Sequence, residues 1–309
     1  MYISRNILQT LGYFDAFDYP LKKRELFLFL PCSCDTLEFE NALQILLNDS
    51  IIYRLGDFYS LQNNYSIVHR RIKGNEKAKE LLIIANKVAA FLSKFPFVQG
   101  VAVSGSLSKN FADERSDIDL FIITKANRLW ISRTILHLFK KLTFLFNKQN
   151  YFCMNYFIDE QKLEIAEKNV YTATEVATLM PLYGSSAFQA FFAANTWTMD
   201  FLPNNYMRIS SAKNIPEPFF KRIEEAILNI IAGNWIDNLL MNITARRWKQ
   251  KRNKNKVNQR GILLSMDASK HIAKPDPKEF QQKLVAAYLA RTSEYEMKLQ
   301  DKVMISPVH

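Results

Sequence analysis

Val101-Ala-Val-Ser-Gly-Ser-Leu-Ser-Lys-Asn-Phe-Ala-Asp-Glu-Arg-Ser-Asp-Ile-Asp-Leu-Phe-Ile-Ile-Thr124 is the stretch on which the reading of the chain turns. It reads as an apolar strand, a Gly-Ser turn, a polar excursion and a second strand that carries Asp117 and Asp119. Side chains two apart on a strand point to one face. Asp117 and Asp119 are therefore expected to project together from a strand that is otherwise Ile118, Leu120, Phe121, Ile122 and Ile123. Two adjacent carboxylates repel, and placing them at the head of a core strand is costly unless a cation sits between them. Mg²⁺ resolves this most simply, because it prefers carboxylate oxygen and leaves positions open for phosphate.

The surrounding composition permits such a site in an ordinary folded chain. At 309 residues, 48% hydrophobic and 23% charged, the chain can bury a sizeable core and has room for two or three domains. The N-terminus lacks the basic region and apolar run of a signal peptide, and no window reaches the eighteen apolar residues of a membrane span. Cys32, Cys34 and Cys153 are an odd number with no histidines at metal-ligand spacing, which predicts free thiols in a reducing cytoplasm. His69, His137 and His271 have no partner at chemical spacing and receive no role.

The formal charge of +11 is local. Arg246, Arg247, Lys249, Lys251, Arg252, Lys254, Lys256 and Arg260 form a basic run with no acid among them. Such a run, interleaved with Trp248, is read either as a solvated helix end or as a contact for nucleic acid through its phosphates.

Residues 1–68 read as a small winged-helix-like unit. It has three helices, the second over Leu21–Leu30 and the third capped by Asp35, and a hairpin of Ile51–Arg54 and Phe58–Leu61 joined at Gly56-Asp57. The third helix carries Glu38, Glu40 and Asp49 with no lysine or arginine, the wrong charge for DNA phosphate. Residues 69–165 form the second unit. The basic stretch 69–75 is a linker or helix start, followed by a helix over Glu76–Lys94, strands at Val98–Val103 and on Asp117–Thr124, a helix over Asn127–Phe146 and a third strand, Phe152–Ile158. Residues 166–309 read as a helical domain with helices over Thr174–Leu182, Ala187–Asn195, Pro218–Met241 extended to Lys256, and Lys278–Leu299. The expected class is α+β: a small mixed-sheet domain between a winged-helix-like unit and a helical domain.

Gly105-Ser106, ten intervening residues and then Ser116-Asp117-Ile118-Asp119-Leu120 resemble the signature of the nucleotidyltransferase (DNA polymerase β-like) superfamily. The pattern is similar to that of the small minimal nucleotidyltransferases of bacteria and archaea, of the kanamycin and antitoxin types. With its flanking helices the resemblance extends over roughly 76–158. It implies that Gly105 and Ser106 grip the β- and γ-phosphates of a nucleoside triphosphate, with Lys109 and Ser116 in the phosphate-binding turn. It also implies that Asp117 and Asp119 are catalytic and hold Mg²⁺ during attack at the α-phosphorus. In the family a third carboxylate on a neighbouring strand completes the site. Here that strand offers Asn155, read as sharing a face with Cys153 and Phe157 and as a metal ligand through its oxygen. An amide cannot remove a proton, and Asp159 and Glu160 at the strand's end are the alternatives. The usual Arg-Gly of the turn reads Lys109-Asn110.

The implied activity is Mg²⁺-dependent transfer of a nucleoside monophosphate to a hydroxyl on an unidentified acceptor. A regulatory nucleotide-binding protein without turnover and a nucleic-acid-binding module are the other readings. A membrane partner is not expected.

Overall fold

The computed structural model describes residues 2–275 apart from 115, 144–148, 206–211, 216–217, 232 and 254–265, together with 286, 292–293, 295 and 297. Helix α1 (Tyr2–Asp15) buries Ile7, Leu8, Leu11 and Phe14 on its inner side, at the spacing of a helical stripe. A short strand β1 (Leu21–Lys22) follows Pro20 and leads into α2 (Lys23–Leu28), which is shorter than the ten residues expected. Helix α3 (Thr36–Asn48) opens with a reciprocal cap. Asp35 accepts from the Glu38 amide at 2.8 Å and the Glu38 carboxylate accepts from the Asp35 amide at 3.1 Å. Strands β2 (Tyr53–Leu55) and β3 (Phe58–Ser60) turn at Gly56, and β1 pairs with β3 to make a three-stranded antiparallel sheet.

Helix α4 runs unbroken from Tyr65 to Leu92. The stretch 69–75, read as a linker or helix start, lies inside it. Its polar residues are used there for packing: Arg71 is buried, over the Tyr19 ring with 3.5 Å to the centroid, and pairs with Glu25 at 2.7 Å. Gly74 faces the Phe111 ring so closely that a methyl group there would collide with it.

Beyond α4 come β4 (Val98–Val103), α5 (Gly105–Ser108), β5 (Asp119–Thr124), α6 (Leu129–Thr143), β6 (Cys153–Asp159), α7 (Val170–Ala177), β7 (Met180–Tyr183), α8 (Ser185–Ala194), α9 (Phe219–Ile231), α10 (Gly233–Asn253), β8 (Met266–Ala268) and β9 (Ile272–Pro275). They build one sheet in the order β7-β4-β5-β6-β9-β8, in which β5 and β6 are parallel and the other pairs antiparallel. Among the described residues three of its six strands come from beyond residue 166, where the sequence reads as helical. The helix expected over 174–182 ends at Ala177, and Met180-Pro-Leu-Tyr183 becomes an edge strand, a position in a sheet that accommodates Pro181 because one side of the strand makes no ladder hydrogen bonds. The helix expected over 278–299 lies mostly outside the described residues, as does the basic run from 254 onward.

Alternation along β5 divides the core. Leu120 and Ile122 pack with Ala85, Trp130 and Leu136 of α4 and α6. Phe121 and Ile123 pack with Val176, Phe188 and Phe191 of α7 and α8 on the opposite face. The exposed Arg246, Arg247, Lys249 and Lys251 lie on α10, whereas Trp248 turns inward against Trp130 at 5.8 Å between centroids, with the Arg133 guanidinium over its ring. Among the described residues no helix is long and apolar enough to cross a membrane.

Helix α10 is fastened to α6 by Asp237, which is 1% exposed. One carboxylate oxygen accepts from the Trp130 and Ile131 amides, both at 2.9 Å, in the first turn of α6. The other oxygen is buried and has no hydrogen-bond partner among the described residues. Burial outweighs those two amides and Arg128, and raises the carboxyl from its ordinary value to about 6. The folded chain therefore holds this proton more tightly than the unfolded one, so its contribution to stability grows as pH falls from 7 through 6 towards the unfolded value of 3.8. Burial raises Glu25 and Glu160 as well, so the informative comparison is between variants. The thermal midpoint of Asp237→Asn should rise less than that of the wild type between pH 7 and pH 5; parallel curves would remove Asp237 from this account.

Candidate active site

Strand β4 gives way to Ser104, whose amide donates to the Asp119 carbonyl at 2.9 Å and so ties the start of the turn to the start of β5. Gly105 follows at φ +67. A Cβ built there would stand 2.8 Å from Asp119 Oδ2, so a side chain at this position would be strained by the backbone angle and would make the carboxylate shift. The turn is closed from within: the Ser106 carbonyl accepts from the Lys109 and Phe111 amides at 3.0 and 3.1 Å, and Ser108 Oγ donates to the Gly105 carbonyl at 2.9 Å. Ser106 itself is exposed.

Asp119 is the first residue of β5 and half-buried, while Asp117 lies two residues before the strand and is exposed. Ile118 between them is buried, as alternation predicts. Both carboxylates act on the same neighbour. The Cys153 thiol is pushed up to about 11, first by burial and then by Asp119, with Asp117 adding a smaller push.

Cys153 faces Asp119 in the parallel ladder, and Met154 faces Leu120. The register then slips, so that Phe121 faces Tyr156 and Asn155 is the extra residue of a bulge. The expected face shared by Cys153, Asn155 and Phe157 is broken there: Phe157 packs with Met154 in the α4–α6 core. The bulge leaves Asn155 exposed and aims its Nδ2 at Asp119 Oδ1, 2.9 Å away. In this orientation the amide steadies the carboxylate by donating to it.

Lys109 and Ser116 are both engaged. Lys109 Nζ lies 2.6 Å from Glu175 Oε1 of α7 and 3.1 Å from the Gly105 carbonyl. The Lys109 carbonyl accepts from the Tyr19 hydroxyl of the N-terminal unit. Ser116 Oγ accepts from the Asp113 amide and donates to Asp113 Oδ1, at 2.8 and 2.9 Å, which closes the loop before β5.

Asp159 does not join the pair. It faces Thr124, five residues along β5 from Asp119, or about 17 Å at roughly 3.3 Å per residue. There it is fully buried, with His271 Nδ1 and the Asn127 amide at 2.8 Å and the Gln161 amide at 3.0 Å. Burial, followed by Arg133, Lys140 and Lys141, lowers His137 to about 3, so its imidazole is neutral. Among the described residues no group of three His, Cys, Asp or Glu side chains is placed to hold a metal ion. The oxygen donors present, two carboxylates beside a turn with no side chain at Gly105, suit a hard divalent cation better than a soft one.

Glu175, Tyr171 and Tyr19 are the neighbours of this site that sequence reasoning missed. Tyr171 is pushed well above the usual tyrosine range by burial, then by Glu175, Tyr13 and Asp119. None of the three stands at a recognisable spacing from Gly105 or Asp119 along the chain.

No curated protein and no solved structure matches the chain. One family model does, over residues 85–175, from the end of α4 to α7, and it includes Gly105, Asp117, Asp119, Asn155 and Glu175. The site thus lies within a stretch that matches the nucleotidyltransferase domain family.

Proposed function

We propose that the chain transfers a nucleoside monophosphate group from a nucleoside triphosphate to an acceptor hydroxyl, with Mg²⁺ at Asp117 and Asp119. The contact of Asp119 with Gly105, inside the matched domain, carries this reading. It sets a carboxylate directly against a turn whose backbone can be approached closely, which is what holding a triphosphate beside a cation requires. Asp117 and Asp119 would hold the Mg²⁺, and when bound the ion neutralises phosphate charge and favours displacement at the α-phosphorus. Gly105 and Ser106 would receive the terminal phosphates. Asn155 would keep Asp119 in one orientation, and Lys109 would act through the turn, since its amine is held by Glu175 and the Gly105 carbonyl.

One observation favours a second reading, in which triphosphate binds without turnover. Asn155 stands where the resemblance places an acid, and it donates to Asp119. Binding by nucleic acid is supported by the exposed Arg246, Arg247, Lys249 and Lys251, but Trp248 is packed against Trp130 and does not offer a ring to a base.

Incubation with α-labelled triphosphates, Mg²⁺ and a cell extract should transfer label. Asp117→Ala and Asp119→Ala should each lower transfer by at least about 100-fold with circular dichroism unchanged, since even second-shell changes at metal sites cost roughly 10–100-fold. Mg²⁺-dependent binding of triphosphate with no label moving in any extract would favour the second reading, and retained transfer in Asp119→Ala would sink both. Gly105→Ala should cost about 1–2 kcal/mol of stability for the left-handed backbone. By displacing Asp119 it should also weaken Mg²⁺-dependent triphosphate binding, measured by equilibrium dialysis; unchanged binding would show that the close approach is not needed.

A further inference from the structure

A cavity of about 170 Å³ lies between the sheet and α7, on the face that Asp119 shares with Phe121. Phe121, Tyr156, Tyr171 and Phe191 supply aromatic walls, and Val176 and Leu179 close the α7 side. Three of its residues connect it to the candidate active site. Ser104 immediately precedes Gly105; Glu175 holds Lys109; and Tyr171 is close enough to Asp119 for that carboxylate to disfavour its ionisation. The family match ends at residue 175, so Val176, Leu179, Phe191 and Lys274 of the lining lie beyond it.

Resting on the nucleotidyl-transfer reading above, we infer that this cavity seats the acceptor, and that the acceptor is a single aromatic ring bearing its own hydroxyl, a phenol. Size is the first argument. An apolar protein cavity of about 150 Å³ takes up benzene, so 170 Å³ suits one substituted six-membered ring. Lining is the second. Most of the wall is aromatic and aliphatic, and it offers little polar surface, Ser104 and Thr172 among its sources, to the several hydroxyls a sugar would bring, at a cost for each unmade bond, whereas a flat ring packs against Tyr156 and Phe121, themselves stacked at 4.8 Å.

The chemistry of the side chains around the cavity and beside Asp119 agrees. Glu175 is committed to Lys109, Glu167 forms an ion pair with the buried Lys274, and Asn155 is an amide. This arrangement suits a hydroxyl that gives up its proton easily. A phenol ionises near pH 10, against about 15.7 for bulk water. In the step, the phenol oxygen forms the bond to the α-phosphorus. The bond from that phosphorus to the oxygen bridging towards the β-phosphorus breaks, and pyrophosphate leaves with the electron pair. The phenolic proton passes to water at the cavity mouth.

The test uses the full chain with Mg²⁺ and the four α-labelled ribonucleoside triphosphates. The acceptors are p-cresol, N-acetyltyrosinamide, a tyrosine-containing peptide and, as the saturated control, 4-methylcyclohexanol. At least one phenol should be labelled 10-fold or more faster than 4-methylcyclohexanol. Label on p-cresol identifies a free small-molecule ring as sufficient; label on the peptide alone identifies the ring as part of a polypeptide. Val176→Phe, which fills the cavity, should abolish phenol labelling while Mg²⁺-dependent triphosphate binding stays at the wild-type level, which also reports that the variant is folded. Should Val176→Phe lose that binding, Leu179→Phe takes its place under the same criterion. Equal labelling of cresol and methylcyclohexanol, or labelling undiminished in the filled variant, overturns the inference. So does the absence of label on every phenol when triphosphate binding is intact and lost in Asp119→Ala, and that outcome leaves triphosphate binding at the site standing. Failure to bind triphosphate at all would instead remove the parent reading.

Discussion

The contact between Asp119 and the bare backbone of Gly105 is the constraint on which the candidate site depends. A strand can present a carboxylate at its first residue cheaply only if something polar or nothing at all lies opposite. Here the left-handed glycine leaves the space empty, and the Ser104 amide bonded to the Asp119 carbonyl keeps the two backbones in register. The bulge at Asn155 adds a third restraint by turning an amide on the other carboxylate oxygen. Glycine on one side and an amide donor on the other fix Asp119 from two directions.

The turn that supplies Gly105 is supported from outside its own domain. Phe111, six residues on, inserts into the N-terminal core, packing against Tyr19, and the Ala112 amide donates to the Gly74 carbonyl at 3.1 Å. Tyr19 donates to the Lys109 carbonyl while Arg71 lies over its ring. Arg71 carries the cost of this arrangement. Two of its guanidinium nitrogens are buried without hydrogen-bond partners among the described residues, and burial lowers its pKa to about 9. Its pair with Glu25 and its position over Tyr19 offset part of that cost.

How much of this was legible in the sequence follows from which interactions are local. Gly105-Ser106, the alternation around Ile118, the Asp35 cap and the Gly56 hairpin depend on neighbouring residues, and all appear where local patterning places them. The bulge at Asn155 depends on how β6 meets β5, and a slip of one residue between strands leaves no mark on the alternation of β6 itself. Met180–Tyr183, Met266–Ala268 and Ile272–Pro275 are three or four residues long, too short for periodicity to separate strand from helix or loop. The basic stretch 69–75 reads as a linker or helix start because the partners that Arg71 and Gly74 find, Glu25, Tyr19 and Phe111, are distant in sequence. Glu175 lies 66 residues from the lysine it holds, and nothing in its own neighbourhood distinguishes it from a surface glutamate.

Helix α4 has a consequence for modularity. At about 1.5 Å per residue its 28 residues extend roughly 42 Å. One end is packed against the N-terminal sheet through Ile67 and Val68, and the other against β4 through Val88 and Leu92. The two regions are therefore joined by a continuous hydrogen-bonded strut rather than a tether. Recombination at the compositional boundary near residue 69 would cut through helical turns and strip Phe111 and Lys109 of their supports. The N-terminal unit is better regarded as part of the scaffold than as an interchangeable attachment, and sequences that share the central domain without it must brace their Gly-Ser turn by other means.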